Sequence, residues 1–326
     1  MIYLGIDTSA YTTSLALFCG DKLYKKEKVL EVQEGQKGLR QSEAVFQHQK
    51  NLPVLFDHLM DYVEKENKIK VTDIKAIGAS TAPRPVRGSY MPVFVTGTSY
   101  AKVLSRVLNI DFLTTTHQEN HLACSFYYNN TTLDDFLALH ISGGTTELLK
   151  VKFNNYKFDI KLLGETEDIS AGQYIDRVGV KLGYKFPSGV YLEELSKKAT
   201  MTESVPVAVN DSKVSFSGPL SHVERKLEKD NLTEIEKANI ARGVFDNISQ
   251  SIEKLISNVR YPKNIKNIIL VGGVMSNKYI KNYLQKNLKE YFNLRTCYTP
   301  PELSKDNACG VAWLTKQKFE KQVFKK

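Results

Sequence analysis

Apolar segments interrupted by short polar corners recur along the chain. The opening stretch, IYLGIDTSAYTTSLALF, alternates apolar and polar positions around a small polar corner, which predicts two strands of a hairpin. The stretch DFLALHISGGTTELLKVKF repeats this arrangement around a Ser-Gly-Gly-Thr-Thr corner. Nearer the C-terminus, KNIILVGGVMSNKYIKNYLQKNL predicts a strand, a double-glycine turn and a helix. The pattern therefore predicts an α/β protein in which several strands end at glycine-rich corners.

The segments between these corners predict helices and one further strand. Residues 41–66 predict one or two helices, with Pro53 near a helix start. IKAIGAST predicts a buried strand, and TGTSYAKVLSRVLN predicts a helix that leads toward a histidine pair. IDRVGVKLGY and ANIARGVFDNISQSIEKLISNV predict amphipathic helices. No internal repeat at the period of a solenoid occurs, so a repeat protein is excluded.

Composition bounds the class of protein. With 326 residues, 42% of them hydrophobic and 25% charged, the chain is expected to be globular and long enough for two domains. We expect no signal peptide and no membrane span, because no long apolar run occurs. The four cysteines form no C-x-x-C pair, which suits a reducing compartment, and a cytoplasmic location is predicted.

The formal net charge is +9, which favours a polyanionic partner such as nucleic acid. Much of the excess is scattered lysine, an arrangement that solubility alone also explains. The charge therefore permits an RNA partner without identifying one.

Two of the six histidines, His117 and His121, stand four residues apart in LTTTHQENHLACS. On a helix they share one face and can present their nitrogens to one point, whereas Glu119 points away. A metal needs at least a third ligand, so the pair by itself leaves open a chance arrangement of surface or core histidines.

Small residues at the corners allow backbone N–H groups to approach phosphate oxygens, and an acid such as Asp7 can hold an accompanying magnesium ion, directly or through water. One Gly-Gly turn is more often an ordinary tight turn. Three such corners in this order are similar to the actin, Hsp70 and sugar-kinase superfold, in which duplicated ribonuclease-H-like lobes clasp a nucleotide. That fold implies an N-terminal lobe of residues 1–110, completed by a C-terminal helix at about 303–326, and a nucleotide-binding lobe of residues 111–302.

A series of short motifs then follows in a fixed order: HQENH, HISGGTTEL, LGETEDISAGQYIDRV, FPSGV, VSFSG, GGVMSN and SKDNACGVA. Together they resemble the tRNA threonylcarbamoyladenosine synthases, a family once described as glycoproteases, from the first strand to the last helix. The resemblance implies that His117, His121 and Asp306 hold one catalytic divalent metal. Two imidazoles and a carboxylate suit iron or zinc and leave positions open for substrate.

The same resemblance implies an adenine nucleotide site that takes threonylcarbamoyl-adenylate as substrate. Ser142, Gly143 and Gly144 would face its phosphate. The remaining nucleotide contacts would come from Asp176, Gly189, Glu193 and Asn277. Structural alternatives stay open at each position: tight turns for the glycines, helix-surface carboxylates for Asp176 and Glu193, and helix N-caps for Asn277 and Asp306.

Two corners depart from the family pattern. The family usually opens with Glu-Thr-Ser-Cys-Asp-Glu-Thr, and here DTSAYTTS stands in that place. Asp7 retains an acid, for which we predict a catalytic role, but Tyr11 and Thr12 replace the Asp-Glu pair. A Lys-Gly-Pro-Gly loop is altered to STAPRPVRGSY, which adds Arg84 and Arg87. These changes are expected to alter how the site binds anions and to affect its acceptor.

The function implied by the resemblance is metal-dependent transfer of a threonylcarbamoyl group to the exocyclic amine of a tRNA adenosine. The alternative is a catalytically reduced or altered paralogue that binds adenine nucleotide and acts through a protein partner or on another acceptor. Implied partners are tRNA, a smaller homologous subunit and an ATPase or kinase-like protein. A metalloprotease is not supported, because no glutamate directly follows His117. A small-molecule kinase stays open on fold grounds alone.

Overall fold

The computed structural model describes residues 1–9, 11–32, 39–229 and 231–323. The first of its two sheets has the strand order β3-β2-β1-β4-β5. The strands are β1 (Ile2–Asp7), β2 (Thr12–Cys19), β3 (Lys22–Val29), β4 (Ile74–Ser80) and β5 (Asp111–Thr115). Strands β1 to β3 are antiparallel, as the predicted opening hairpin requires, whereas β4 and β5 run parallel to β1.

The second sheet has the order β12-β11-β6-β7-β8-β10-β9. Its strands are β6 (Asp135–Ile141), β7 (Thr146–Asn154), β8 (Lys157–Thr166), β9 (Ala208–Asn210), β10 (Lys213–Ser215), β11 (Asn267–Val271) and β12 (Arg295–Tyr298). Strands β6 to β8 are antiparallel, and β11 and β12 run parallel to β6. The second sheet thus repeats the first, with a short hairpin added at one edge, and the duplicated lobes predicted from the corners are present.

Helices cover both sheets. They are α1 (Gln41–Asn67), α2 (Pro92–Leu108), α3 (His117–Asn129), α4 (Ala171–Lys181), α5 (Gly189–Ser196), α6 (Ser217–Leu227), α7 (Glu234–Asn258), α8 (Lys278–Phe292), α9 (Pro301–Ser304) and α10 (Cys309–Val323). A single-turn 3₁₀ helix, Gly273–Ser276, follows β11. No helix among the described residues is both long and apolar enough to cross a membrane.

Pro53 lies inside α1, so the prediction that it stands near a helix start is wrong. A proline within a helix costs about 3 kcal/mol. The buried side chains of Leu52, Leu55 and Leu59 continue across the proline, and the burial of each is worth roughly 1.5–3 kcal/mol. Packing on the first sheet therefore outweighs the backbone preference of one residue.

Helix α10 returns the chain to the first sheet. Its backbone passes so close to β1 that a Cβ added at Gly5 would lie 2.4 Å from the Ala312 nitrogen. One buried apolar cluster contains residues of β1, α3, β6 and α10 and so joins the two sheets. Strand β5, which starts at Asp111, completes the first sheet just past the lobe boundary expected at residue 110. The lobe boundaries remain a prediction, and residues 324–326 of the expected C-terminal helix lie outside the described chain.

Candidate metal and nucleotide site

The start of α3 and the segment before α10 bring three potential metal ligands together. A capping box at Thr116 begins α3, so that His117 and His121 lie on adjacent turns of its first part. Their Nε2 atoms are 3.1 Å apart. Asp306 Oδ1 lies 3.4 Å from His117 Nε2 and 3.6 Å from His121 Nε2. His121 is buried, whereas His117 and Asp306 are partly exposed, so solvent reaches the triangle from one side.

The three donors fit a divalent ion. All three ligand atoms lie within 4.8 Å of one another. Metal–ligand bonds of ~2.0–2.2 Å at a tetrahedral angle give donor–donor distances of about 3.3–3.6 Å, which the observed triangle resembles. The competing role for Asp306 as a helix cap is taken by its neighbour, because Asn307 Oδ1 accepts a hydrogen bond from the Cys309 N–H at 2.8 Å.

Asp7 lies behind His117 and is completely buried. Its Oδ2 is 3.0 Å from His117 Nδ1 and also accepts hydrogen bonds from Ser80 Oγ and Asn120 Nδ2. Its Oδ1 accepts one from the Ser9 N–H. Both carboxylate oxygens of Asp7 are thus engaged by protein groups, which disfavours a direct bond to magnesium, one of the two modes expected from its sequence position. The predicted catalytic role of Asp7 stays a prediction, and the geometry supports one exerted through the orientation of His117.

Charges in the cluster are strongly coupled. Burial by itself would lower the pKa of His117, but the charge of Asp7 and the hydrogen bonds that His117 donates to Asp306 and Asp7 raise it to about 10. Burial and the neighbouring His117 charge lower the pKa of His121. Burial would raise the pKa of Asp306, but hydrogen bonds from both histidines hold it far below its ordinary value. The carboxylates of Asp7 and Asp306 therefore favour positive charge at this point, where a cation would sit.

The Ser-Gly-Gly corner joins β6 to β7 beside the start of α4. Ser142 Oγ accepts hydrogen bonds from the N–H groups of Gly144 and Thr145, which forms the tight turn. A Cβ added at Gly143 or Gly144 would meet nothing within 4 Å, so both face open space, as a phosphate-binding backbone must. Two other glycines, one on each side of the corner, allow the neighbouring segments to pack closely against it.

Neither of these flanking glycines was among the predicted site residues, although one of them belongs to the predicted double-glycine turn after β11. A Cβ at Gly172 would lie 2.4 Å from the Ser142 carbonyl oxygen, and one at Gly272 would lie 2.2 Å from the Ile141 oxygen. Gly272 also has a φ of +97°, a conformation that favours glycine. For Gly172 the sequence did contain a signal. It is the second residue of α4, and glycine is an unfavourable residue in a helix.

The other predicted nucleotide contacts lie on α4, α5 and α8. Asp176 Oδ1 accepts hydrogen bonds from Ser188 N and Oγ, and burial raises the pKa of this carboxyl. Gly189 is the first residue of α5. Glu193 and Asn277 come together at the N-terminus of α8, where Glu193 Oε1 accepts from the Lys278 N–H and Asn277 Oδ1 accepts from the Ile280 N–H. Asn277 is thus the N-cap of α8, and contacts with a nucleotide stay a prediction for all four residues.

The altered first corner faces a cavity of about 330 Å³ between the two lobes. Tyr11 is half-buried and its ring centre lies 5.6 Å from that of Phe186. Gly143, Asp176 and Arg177 lie on the opposite wall. Thr12 is buried at the start of β2 and is not among the residues that line this cavity. Of the two residues that replace the family's acids, Tyr11 is therefore the one positioned to meet a ligand.

The altered loop after β4 contacts the metal-site helix directly. The N–H groups of His117 and Gln118 donate to the carbonyl oxygens of Ala82 and Pro83. Arg84 Nη2 lies 2.6 Å from Oε1 of Glu147, a buried residue of β7 whose other carboxylate oxygen accepts from Gln118. The loop thus ties the first sheet and α3 to the second sheet.

Comparison with known proteins identifies the family. A family model described as tRNA N6-adenosine threonylcarbamoyltransferase matches residues 26–313. The chain belongs to the tRNA N6-adenosine threonylcarbamoyltransferase family. Curated relatives that carry this name include one from Thermosipho africanus, 28% identical over 99% of this chain and 96% of the relative. A second, from Wolbachia pipientis wMel, is 29% identical over 98% of this chain and 93% of the relative. Named transferases acting on tRNA are therefore its full-length relatives.

Solved structures of more distant proteins share the two-lobed fold. Full-length HypF, in a phosphate- and nucleotide-bound form, aligns with a TM-score of 0.63 and 12% identity over 98% of this chain and 56% of that protein. The activator of 2-hydroxyisocaproyl-CoA dehydratase from Clostridium difficile, solved with ADPNP, aligns with a TM-score of 0.55 and 12% identity over 99% of this chain and 98% of that protein. These likenesses establish the actin-like α/β fold predicted from the sequence.

Proposed function

We propose that this family member transfers a threonylcarbamoyl group from threonylcarbamoyl-adenylate to the exocyclic amine of a tRNA adenosine, in the cytoplasm. The observation that carries the proposal is the convergence of His117, His121 and Asp306 on one point beside the Ser-Gly-Gly corner. The His121 ring centre lies 4.9 Å from that of His140, which stands two residues before Ser142. A metal and a phosphate-binding turn are the two parts that chemistry on an acyl phosphate needs.

The transfer balances without a further reactant. The adenosine amine nitrogen attacks the carbamoyl carbon, a C–N bond forms, and the bond from that carbon to the phosphate oxygen breaks. AMP leaves with the electron pair, and the amine gives up one proton. His117, His121 and Asp306 would hold an iron or zinc ion, which would supply a Lewis acid for the carbonyl group.

The chain's own residues bind and orient the reactants. Backbone N–H groups at Gly143 and Gly144 are available for the phosphate, because no side chain covers them. Asp176, Gly189, Glu193 and Asn277 are proposed to contact the nucleoside. Asp7 holds the His117 ring through Nδ1 and leaves Nε2 facing Asp306. Correct placement of a weak amine nucleophile is the largest contribution expected from such a site.

The second candidate is a reduced or altered paralogue that binds adenine nucleotide and acts through a protein partner or on another acceptor. The observation that favours it is Tyr11, an aromatic side chain on the cavity wall where the family has an acid. An aromatic wall would suit a different acceptor.

The experiment replaces the synthase of a depleted host with this chain and measures modified adenosine in its tRNA by mass spectrometry. We expect modification with wild type and none with His117→Ala combined with His121→Ala. An exposed histidine, His58, provides the matched control, because His58→Ala should modify tRNA as well as wild type does. Absence of modified adenosine with wild type, when the host supplies the partner proteins, favours the second candidate.

We further propose tRNA, a smaller homologous subunit and an ATPase or kinase-like protein as partners. The net charge of +9 supports a polyanionic partner. Exposed apolar residues on adjacent helices support a protein partner: Phe46 and Val54 on α1, and Val95 and Val103 on α2. Co-purification with the host's smaller homologue should be lost in Val95→Asp with Val103→Asp, whereas retention would argue against this surface.

A further inference from the structure

Helix α8 and the segments on either side of it carry most of the excess positive charge of the chain. Residues 260–295 contain one acid, Glu290, and eight lysines or arginines: Arg260, Lys263, Lys266, Lys278, Lys281, Lys286, Lys289 and Arg295. Of the 45 lysines and arginines and the 36 acids in the whole chain, the other 290 residues hold 37 and 35. The rest of the protein is therefore close to neutral, and a general need for solubility does not explain where the charge lies.

These basic side chains are open to solvent and unpaired. Seven of the eight are exposed, and the eighth, Lys281, is half-buried with its ammonium group over the Tyr298 ring. None of the eight forms an ion pair with a carboxylate in the part of the chain that the structure describes. Elsewhere in the same lobe such pairs occur, as between Lys213 and Glu165 at 2.6 Å. Like charges gathered without neighbouring acids repel one another, and a polyanion relieves that repulsion.

The fold arranges five of these charges as a strip. Lys278, Lys286 and Lys289 lie on the exposed face of α8 and span about 16 Å at 1.5 Å per residue. Helix α8 ends three residues before Arg295, on the edge strand β12, and the Arg295 N–H donates to the Lys266 carbonyl oxygen at 2.7 Å. We call these five residues the basic strip.

One end of the basic strip adjoins the proposed nucleotide site. Lys278 follows Asn277, and its N–H donates to Glu193, two residues proposed to contact the nucleoside. At ~3.4 Å of helix axis per nucleotide of one strand, the part of the strip on α8 alone covers the length of about five nucleotides. A long polyanion that enters the site can follow the strip outward, whereas AMP cannot reach its far end.

The exposed face of α8 favours a nucleic acid over an anionic membrane. Residues 260–295 are all described, and Tyr291 is the one large apolar side chain exposed among them. Helices that bind membrane surfaces bury a broad apolar face in the lipid, and α8 offers no such face to solvent. An exposed tyrosine among basic side chains instead suits stacking on a base.

We propose that the basic strip binds the phosphate backbone of the tRNA whose adenosine enters the candidate site. The inference rests on the proposed function and deepens it, because it assigns the surface that holds the RNA outside the site of chemistry. Contacts with phosphates position a nucleic acid without reading its sequence, so the strip should hold different tRNAs alike.

The salt dependence of tRNA binding tests the strip. Each phosphate contact adds roughly 0.7–0.9 to the slope of log affinity against log salt concentration, so five contacts predict a wild-type slope of at least about 3.5 in magnitude. The triple variant Lys286→Gln, Lys289→Gln, Arg295→Gln removes three charges and keeps polar side chains. We expect its slope to fall by about two to three and its affinity at about 0.1 M salt to fall at least tenfold.

A matched control removes the same net charge from the first lobe. Lys65→Gln, Lys70→Gln, Lys75→Gln alters three exposed lysines in a segment that also holds Glu64, Glu66 and Asp73. We expect this control to keep the wild-type slope and affinity for tRNA. Calorimetry should give the same affinity for AMP in all three proteins, since the strip lies outside the nucleotide site.

The outcomes separate this inference from the proposed function. A wild-type slope below about two overturns the strip however the variants behave, and so does an equal loss of tRNA affinity in the triple variant and the control. If the triple variant instead loses binding to phosphatidylglycerol vesicles and keeps its affinity for tRNA, the strip belongs to a membrane contact and the proposal is wrong. If tRNA binding changes as expected but wild type modifies no tRNA in the replaced host, the strip stands and the proposed transfer fails.

Discussion

Among single residues, Asp7 has the clearest role that can be tested apart from catalysis. Its carboxylate is fully buried and orients His117 through a 3.0 Å contact with Nδ1. Supporting residues of this kind fix the tautomer and the orientation of a metal-ligating ring. We therefore expect Asp7 to affect the affinity of the proposed site for metal without being a ligand itself.

We predict that Asp7→Asn weakens metal binding by about 10–100-fold. The amide keeps the size of the side chain, but it can present an N–H to His117 Nδ1 and loses the negative charge. A chelator competition on purified protein measures the change. The control is Asp21→Asn, because Asp21 is fully exposed and pairs with Lys316 far from the cluster. Equal affinity in wild type and Asp7→Asn would show that the carboxylate does not support the site.

Tyr11 is the residue that decides between an active enzyme and an altered paralogue. We expect wild type to transfer the group to tRNA, and Tyr11→Asp to change the rate by less than about tenfold. One polar group that stabilises the transition state is worth roughly a hundredfold in rate. Transfer assays with pre-made adenylate and one tRNA measure both proteins. An inactive wild type that Tyr11→Asp activates by such a factor would contradict our expectation, and Tyr11→Phe controls for the hydroxyl.

At the scale of elements, the glycines at the corners have two different roles. A Cβ added at Gly143 or Gly144 would meet open space. One added at Gly172 or Gly272 would lie 2.4 Å or less from a backbone oxygen. Exposed glycines leave backbone N–H groups accessible to a ligand, and the packed ones allow helix α4 and the turn after β11 to approach the corner. Substitutions at the exposed glycines should therefore impair ligand binding, and substitutions at the packed glycines should destabilise the fold.

We predict that Gly143→Val abolishes nucleotide binding and leaves folding intact. The valine side chain meets no protein atom within 4 Å of its Cβ, but it covers the backbone proposed to face the phosphate. Calorimetry with AMP and ATP measures binding, and thermal unfolding measures folding. Gly218→Val is the matched control, since its Cβ is equally free of contacts on α6. Unchanged nucleotide affinity in Gly143→Val would remove this corner from the site.

Gly172→Val should instead destabilise the fold. Its Cβ would lie 2.4 Å from the Ser142 oxygen and 2.6 Å from Gly143 Cα, so α4 must move away from the corner. Forced overpacking of this kind costs typically 1–3 kcal/mol. Denaturant unfolding of wild type and variant measures the loss. A stability equal to that of Gly143→Val would mean that α4 yields without strain.

For the molecule as a whole, the loop after β4 is a bridge between the two sheets. Arg84 follows a strand of the first sheet, and Glu147 is a buried residue of the second, with Nη2 and Oε1 2.6 Å apart. Burial raises the pKa of the Glu147 carboxyl, which the Arg84 charge counteracts. Removing Arg84 leaves a buried carboxylate whose one remaining side-chain hydrogen bond, among the residues that the structure describes, comes from Gln118.

A double-mutant cycle tests this bridge. We expect Arg84→Met to lower the free energy of unfolding by about 1–3 kcal/mol, because a charge is left buried and Arg84 itself is partly exposed. Glu147→Gln in the same protein should recover most of that loss, since the amide is neutral and isosteric. Denaturant unfolding of the four proteins gives the coupling energy. If the losses of unfolding free energy are additive, the Arg84–Glu147 pair does not contribute to joining the two lobes.

Periodicity and corner residues predicted the elements well, because they depend on local backbone preferences and on alternating burial. The two hairpins, the Gly-Gly turn after β11 and most helices lie where the pattern puts them. The order of the corners also indicated the duplicated lobes, and the motif series indicated the family. The helix interrupted by Pro53 was the exception, since the burial of neighbouring leucines on the first sheet outweighed the backbone preference of the proline.

Contacts between distant segments could be decided only by the tertiary structure. Spacing put His117 and His121 on one helix face, and Asp306 was linked to them only by resemblance, since no local signal joins residues so far apart. The burial of Asp7 behind His117 and the contact of Glu193 with the start of α8 both depend on how β1 and α5 pack. The same holds for His140 of β6, whose ring nitrogens have no hydrogen-bond partner in the described part of the chain. Local sequence sets which conformations a segment prefers, whereas the side chains of other segments set its charge, exposure and hydrogen-bond partners.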